Sequence, residues 1–234
     1  MSLVTFETKC WEKDWEYIIK EGYEEKLKPF EGYKFNEKLL IINNVNEPAV
    51  VCREAGKLKE RGIIDNWYLV KDYEEEVLSF FNLNKNSFLE NNNDGYYYSI
   101  SELTSIYLSK SDFILHFSSD SIFKTNGYNW LINSLDVMNN NNKVVCTSAF
   151  WENKTKNKLD YSCRFSDHLY LLKKEIFKRQ IYNIKDRAIW YPVHGGNSFE
   201  KIVYSFLYHN KETHLIMTDY NHYYFHDQHF PPKK

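Results

Sequence analysis

Glycine and proline are scarce in this chain of 234 residues, at 8 and 5, which excludes collagen-like repeats and linker-rich architectures. Cysteine is scarcer: Cys10, Cys52, Cys146 and Cys163 contain no C-x-x-C pair, so zinc-knuckle and thioredoxin-type motifs are absent. A chain of this length buries an adequate core without disulfides, and the four read as free thiols of a reducing compartment. No apolar run reaches the roughly 18 residues of a membrane-spanning helix. The start, Met1-Ser2-Leu3-Val4-Thr5-Phe6, lacks the basic and apolar regions of a secretory signal. A cytoplasmic protein with no transmembrane segment is the expectation. Lys and Arg (30) nearly balance Asp and Glu (32) for a net charge of −2, which argues against a nucleic-acid partner held by overall charge. No Gly-x-Gly-x-x-Gly follows an apolar run and no Gly-Lys-Ser/Thr is present, which argues against both a Rossmann dinucleotide site and a P-loop.

What the chain does have is apolar and aromatic substance: 43% hydrophobic residues and 18% aromatic, with Tyr 19, Phe 16 and Trp 6. Asn runs at Asn91-Asn92-Asn93 and Asn139 to Asn142 read as loops, where Asn suits turns. Short apolar runs alternate with helical patterns. Leu3 to Phe6, Leu39 to Ile42, Trp67 to Val70, Phe113 to Phe117, Val144 to Cys146, Leu169 to Leu172 and His214 to Met217 read as strands. Trp11 to Lys20, Glu47 to Arg61, Glu74 to Phe81, Ser101 to Lys110, Trp130 to Met138 and Phe199 to Tyr208 read as helices. This alternation predicts one α/β domain with a largely parallel sheet flanked by helices.

In open α/β sheets, ligands bind beyond the carboxyl ends of the strands. That directs attention to Glu7-Thr8, Asn43-Asn44, Lys71-Asp72 and Ser118-Ser119-Asp120-Ser121, each placed by pattern just after a strand. Polar strand ends also occur in any sheet, so these positions alone do not name a ligand.

The βαβα order from residue 3, followed by Tyr-Leu-Ser-Lys-Ser-Asp-Phe-Ile-Leu-His-Phe-Ser-Ser-Asp-Ser over Tyr107 to Ser121, resembles the GT-A glycosyltransferases, family-2-like members above all. In those enzymes a helix, a polar turn and an apolar strand deliver a D-x-D motif. The resemblance implies a nucleoside-diphosphate-sugar donor, a glycan or other hydroxyl acceptor, and Mn²⁺ or Mg²⁺ against the leaving diphosphate, where hard cations take carboxylate oxygens. It implies a nucleotide-binding half over about residues 1–121 and an acceptor-side half over about 122–234. The motif is degenerate, because Ser118-Ser119-Asp120 retains only the last Asp. By resemblance, Asp120 binds metal and Ser118 and Ser119 face the donor, as do Thr5, Glu7, Asn43, Asn44 and Asp72.

Further positions follow from the same resemblance. Tyr191-Pro192-Val193-His194-Gly195-Gly196-Asn197-Ser198 leads into a helix that begins with Phe199-Glu200. In inverting members a carboxylate there deprotonates the acceptor. Glu200 takes that position, although it also suits a helix cap begun by Asn197. Asp167, beside His168, is the second candidate base. A late His can complete the metal site; His226 fits by order, with His222 and His229 as rivals. Tyr96-Tyr97-Tyr98 and Trp151 offer faces for a sugar or base, or pack in the core. Two other readings remain: a sugar-phosphate nucleotidyltransferase, which needs a glycine-rich loop that Glu7-Thr8-Lys9-Cys10 lacks, and a binding domain that has lost catalysis.

Overall fold

The computed structural model describes residues 2–88, 94–125, 129–151, 158–162, 165–179, 181–183, 198–210, 213–218 and 223–226. The chain opens with β1 (Val4–Cys10), then α1 (Trp15–Tyr17), a π turn and α2 (Tyr23–Leu27). There follow β2 (Glu37–Ile42), α3 (Pro48–Glu60), β3 (Asn66–Leu69), α4 (Val70–Phe80), α5 (Asp94–Leu108), β4 (Phe113–Phe117), β5 (Ser121–Lys124) and α6 (Asn129–Asn140). The rest comprises β6 (Val144–Trp151), β7 (Lys158–Ser162), β8 (Leu169–Lys173), α7 (Lys174–Phe177), α8 (Phe199–Asn210), β9 (Thr213–Thr218) and β10 (Tyr223–His226). Among the described residues no helix is long and apolar enough to cross a membrane.

The strands β3-β2-β1-β4 run parallel. β8 then inserts antiparallel between β4 and β6, and β6 pairs parallel with both β9 and β10. The central sheet is therefore mostly parallel with one reversed strand, and β5 and β7 add antiparallel edges. Helices cover both faces. On one, Ile18, Tyr23, Val51, Leu58, Trp130 and Leu135 pack on Phe6, Leu40, Ile42 and Leu115. On the other, Val77, Leu103, Ile106, Ile202 and Phe206 pack on Ile41, Ile114 and Leu172. The continuous run Leu39 to Ile42 is explained by this burial from both sides: alternate residues enter opposite cores.

Several elements differ from the sequence pattern. The first strand extends to Cys10, so Glu7 lies inside it rather than after it. The pattern stops at Phe6 because Glu7 and Lys9 are charged; long-range partners described below make their burial tolerable. The helix expected from Trp11 begins at Trp15. The Trp11 N–H donates to Asp14 Oδ1 at 2.8 Å, closing a turn in between. α4 starts at Val70, directly after β3, which puts Lys71-Asp72 in a helix rather than in a strand-end loop. α5 starts at Asp94 and so takes in Tyr96, Tyr97 and Tyr98. Cys10, Cys52 and Cys146 are free thiols; Cys163 lies outside the described residues.

Helix α3 shows how local sequence sets a boundary. Pro48 occupies the first turn, where its missing N–H has no intrahelical partner to lose. At the other end Gly62 has φ +72°; its N–H donates to Lys59 O at 2.9 Å, and the Ile63 N–H donates to Leu58 O at 3.0 Å. This is a Schellman closure, which needs a left-handed residue. A Cβ at Gly62 meets nothing within 4 Å, so backbone conformation alone selects glycine. Gly56, inside the same helix, is equally uncrowded but helical. Gly62→Ala is therefore expected to lower unfolding free energy by about 1 kcal/mol, and Gly56→Ala to raise it by about 0.5–1 kcal/mol. Opposite shifts of the denaturant midpoint for the two variants are the readout; shifts of the same sign contradict this account.

Candidate functional site

A cleft of about 410 Å³ opens at the carboxyl ends of β1, β2 and β4. Its lining is drawn from five places. The end of β1 and the turn after it provide Lys9, Cys10, Trp11 and Lys13. Asn43 and Asn44 follow β2, and Tyr97, Tyr98 and Ser101 come from α5. Ser118, Ser119 and Asp120 follow β4, and they meet Asp167 and His168, which precede β8.

The reversed strand explains the last meeting. β8 runs antiparallel to β4, with Phe117 opposite Leu169. The start of β8 therefore lies at the end of β4, and Asp167-His168 arrives beside Ser118-Ser119-Asp120. The Ser118 N–H donates to His168 O at 2.7 Å. Ser118 Oγ donates to Asp120 Oδ1 at 2.7 Å, and Ser121 Oγ lies 2.8 Å from His168 Nδ1. His168 Nδ1 is 3.7 Å from Asp120 Oδ1, and its Nε2 is 4.0 Å from Asp167 Oδ1. Burial works to lower the His168 pKa, but contact with Asp120 and the charges of Asp167 and Asp120 outweigh it, so the net shift is upward.

Asn43 is fixed by α5: its Nδ2 donates to Tyr97 O at 2.6 Å and to Ser101 Oγ at 2.8 Å. Asn44 is exposed, with a left-handed φ of 47° that turns the chain sharply after β2. Asp14 joins two walls from behind. Its Oδ2 accepts from Ser119 Oγ at 2.6 Å while Oδ1 holds the Trp11 N–H. Burial pushes its carboxyl up to about 6, against those two hydrogen bonds and with the nearby Asp120 charge adding to the rise.

Of the positions expected to meet a donor, Asn43, Asn44, Ser118, Ser119 and Asp120 line the cleft together, and Asp167 joins them. Thr5, Glu7 and Asp72 do not. Thr5 is buried further back in β1, donating to Glu37 Oε2 at 3.0 Å and accepting from Ser109 Oγ at 2.9 Å. Glu7 is fully buried against His116, 2.5 Å from its Nδ1. Asp72 is exposed in the first turn of α4, where a carboxylate complements the helix dipole. Glu200 sits half-buried in the first turn of α8, outside the lining of this cleft. The α8 start is docked on α5, the Phe199 N–H donating to Ser99 Oγ at 2.8 Å. His226 ends β10 and pairs across from Ser121, next to Asp120 in the chain. Trp151 ends β6; His222 and His229 lie outside the described residues.

Sequence reading missed Lys9, Trp11, Lys13, Asp14 and Ser101. For Lys9 a signal existed: Thr5, Glu7 and Lys9 alternate as polar residues through a central strand, which demands a polar surface facing them.

Which residues could hold a cation follows from donor chemistry. Asp120 keeps a partly exposed carboxylate, its side chain 38% accessible, and a hard divalent ion bound through one carboxylate plus ligand phosphates suits it. Glu7, Glu102 and His116 also bring ligand atoms within 4.8 Å of one another. There the countercharges are the Lys9 ammonium, 2.6 Å from Glu102, and the His116 ring.

Asp14 gives a pH test. Its native pKa lies above the ordinary carboxylate value, so between about pH 4 and pH 6 the native state binds more protons than the unfolded chain and stability falls as pH rises. Asp14→Asn removes that dependence. The variant is expected to gain about 2–3 kcal/mol relative to wild type on moving from about pH 4 to about pH 7. Denaturant unfolding of both proteins across that range checks it; a constant difference refutes the assignment.

No protein-family model and no curated protein matches the sequence. Solved structures do. S. aureus TarS 1–349 in complex with UDP-GlcNAc superposes with a TM-score of 0.55 at 10% identity over 99% of this chain; the chain spans 61% of that one. Mouse xyloside xylosyltransferase 1, apo form, gives 0.54 at 11% identity over 99% of each chain. GalNAc-T7 with UDP, GalNAc and Mn²⁺ gives 0.60 at 10% identity, covering 97% of this chain and 44% of that one. At such identities the likeness speaks for architecture. The chain is a single α/β domain with the fold of the GT-A glycosyltransferases.

Proposed function

We propose that the protein transfers a sugar from a nucleoside-diphosphate sugar to a glycan or other hydroxyl acceptor. The observation that carries the reading is the convergence of Ser118-Ser119-Asp120 and Asp167-His168 at the strand ends of this fold, in a cleft also lined by amides and aromatic rings. TarS was solved with UDP-GlcNAc and GalNAc-T7 with UDP, GalNAc and Mn²⁺, which supports a nucleotide-sugar donor here as well. In this reading residues 1–121 form the nucleotide-binding half and residues 122–234 the acceptor side.

Asn43 and Asn44 orient the nucleoside, with the exposed rings of Tyr97 and Tyr98 available for stacking. Ser118 and Ser119 shape the turn that presents Asp120. Asp120 would hold Mn²⁺ or Mg²⁺, with His226, whose strand register places it beside that turn, as a second ligand. When bound, such an ion neutralises charge on the departing nucleoside diphosphate. Glu200 serves as the base that takes the acceptor proton in an inverting displacement, and Asp167 is next in line. The helix start favours the ionised Glu200 carboxylate that a base requires.

The test begins with thermal shift. UDP, GDP and related diphosphates, with and without Mn²⁺, are expected to raise the melting temperature as ligand binding to the native state must. Asp120→Ala should keep the fold, since Asp120 lies at a cleft, and lower transfer by about 10²-fold or more. Glu200→Gln should keep donor binding and lower transfer by about 10²–10⁴-fold. An Asp120→Ala protein with full activity would show the site to be misplaced. Diphosphate binding without donor turnover would favour the non-catalytic binding domain, the reading to which Ser118 at the first D-x-D position lends weight.

A further inference from the structure

Beneath the cleft lies a buried polar spine. Thr5, Glu7 and Lys9 point to one face of β1 at successive alternate positions, and each meets a partner from another element. Glu7 meets His116 of β4, and Lys9 Nζ meets Glu102 Oε1 of α5 at 2.6 Å. The second oxygen of Glu102 accepts the hydroxyl of Tyr170 from β8, and the Tyr170 ring stacks on His116 with centroids 4.8 Å apart. Glu7, Glu102, His116 and Tyr170 are essentially sealed from solvent. Lys9 is the member that emerges: its side chain is 13% accessible and lines the cleft.

We propose that Lys9 is the cleft's fixed anion-binding cation, contacting the diphosphate of a bound nucleotide, with Glu102 as the residue that positions it. This rests on the nucleotide-sugar reading for the identity of the anion. An ammonium has three donors, and anchoring on Glu102 leaves others to face the cavity. The anchor is rigid, since Glu102 is itself held by Tyr170, so the ammonium meets a ligand without ordering a free lysine stem. The need for such a cation is set by the other walls. Asp120 and Asp167 place two carboxylates at the cleft, which by themselves repel a diphosphate. Lys9 lines the same cleft as Asp167 and His168, and the Asp167 carboxylate adds to Glu102 in holding the ammonium charged. Both ammoniums lie over a ring, Lys13 over Trp11 at 4.9 Å and Lys9 over Tyr98 at 5.6 Å from the centroid, but among the described residues Lys13, which also lines the cleft, has no carboxylate anchor of the kind Glu102 gives Lys9.

The single variant Lys9→Met strands the buried Glu102 charge and threatens the fold. The decisive protein is therefore the double variant Lys9→Met/Glu102→Gln, which removes both charges and keeps a partner for Tyr170. Calorimetric titration in EDTA with inorganic pyrophosphate, UDP, GDP and uridine compares it with wild type, after circular dichroism shows both folded. The expected result is pyrophosphate and diphosphate binding weaker by about 10- to 100-fold in the double variant, the loss of one hydrogen bond to a charged group, with uridine unchanged. Lys9→Arg, which keeps charge and anchor, should recover most of the affinity. Equal diphosphate affinity in wild type and double variant, or no binding of either anion to wild type, overturns the role of Lys9. Lys9-dependent pyrophosphate binding with nucleoside diphosphates no tighter supports Lys9 and instead sinks the nucleotide-sugar reading.

Discussion

The architecture depends on one charged cluster buried where β1, β4, β8 and α5 meet. Lys9, Glu102, Glu7 and His116 place two potential cations against two carboxylates away from solvent. Each ion alone would be costly to bury, and removing any one partner leaves a charge uncompensated. The arrangement is tolerated because every member meets a partner from a different element. Glu102 stays ionised: burial opposes its charge, but His116 and Lys9 outweigh that and lower its pKa. Glu7, also fully buried, is raised: desolvation and the Glu102 charge outweigh its His116 contact and the Lys9 charge. The cluster thus sets how β1 lies against α5 and where the first strand can end.

The cleft is the exposed edge of that arrangement. Besides β1 and α5, its walls are short segments at strand ends, and segments held by few backbone bonds need other ties. Asp14 supplies one by joining the turn after β1 to the Ser118-Ser119-Asp120 turn, and Asn43 supplies another by bonding α5. The Ser118 N–H to His168 carbonyl bond supplies a third, across the reversed strand. Carboxylates, amides, two lysines and aromatic rings then share one small volume.

Much of the site was legible because strand ends are legible. Asn43-Asn44 after an apolar run and Ser118 to Asp120 after another are local features, and both line the cleft. Glu7 and Asp72 were misplaced for a common reason: where a strand or helix ends depends on partners that pattern does not contain. A charged Glu7 reads as a strand end until His116, 109 residues away, is brought beside it. Asp72 reads as loop until β3 is seen to pass directly into α4.

By itself the sequence determined the class of fold and most of the covering layers. Mainly apolar runs such as Leu39 to Ile42 and Phe113 to Phe117, short and bounded by polar turns, read as strands buried on both faces, and Pro48 and Gly62 bound a helix through their own backbone preferences. These are short-range effects of sterics and hydrophobic periodicity, complete within a few residues. Only the tertiary structure decided that β8 runs backwards between β4 and β6, and hence that Asp167 and His168 meet Asp120. It alone decided that Lys9 reaches the cleft from inside a strand. Both outcomes rest on pairing and charge compensation between residues far apart in the chain, and no local preference encodes such energies.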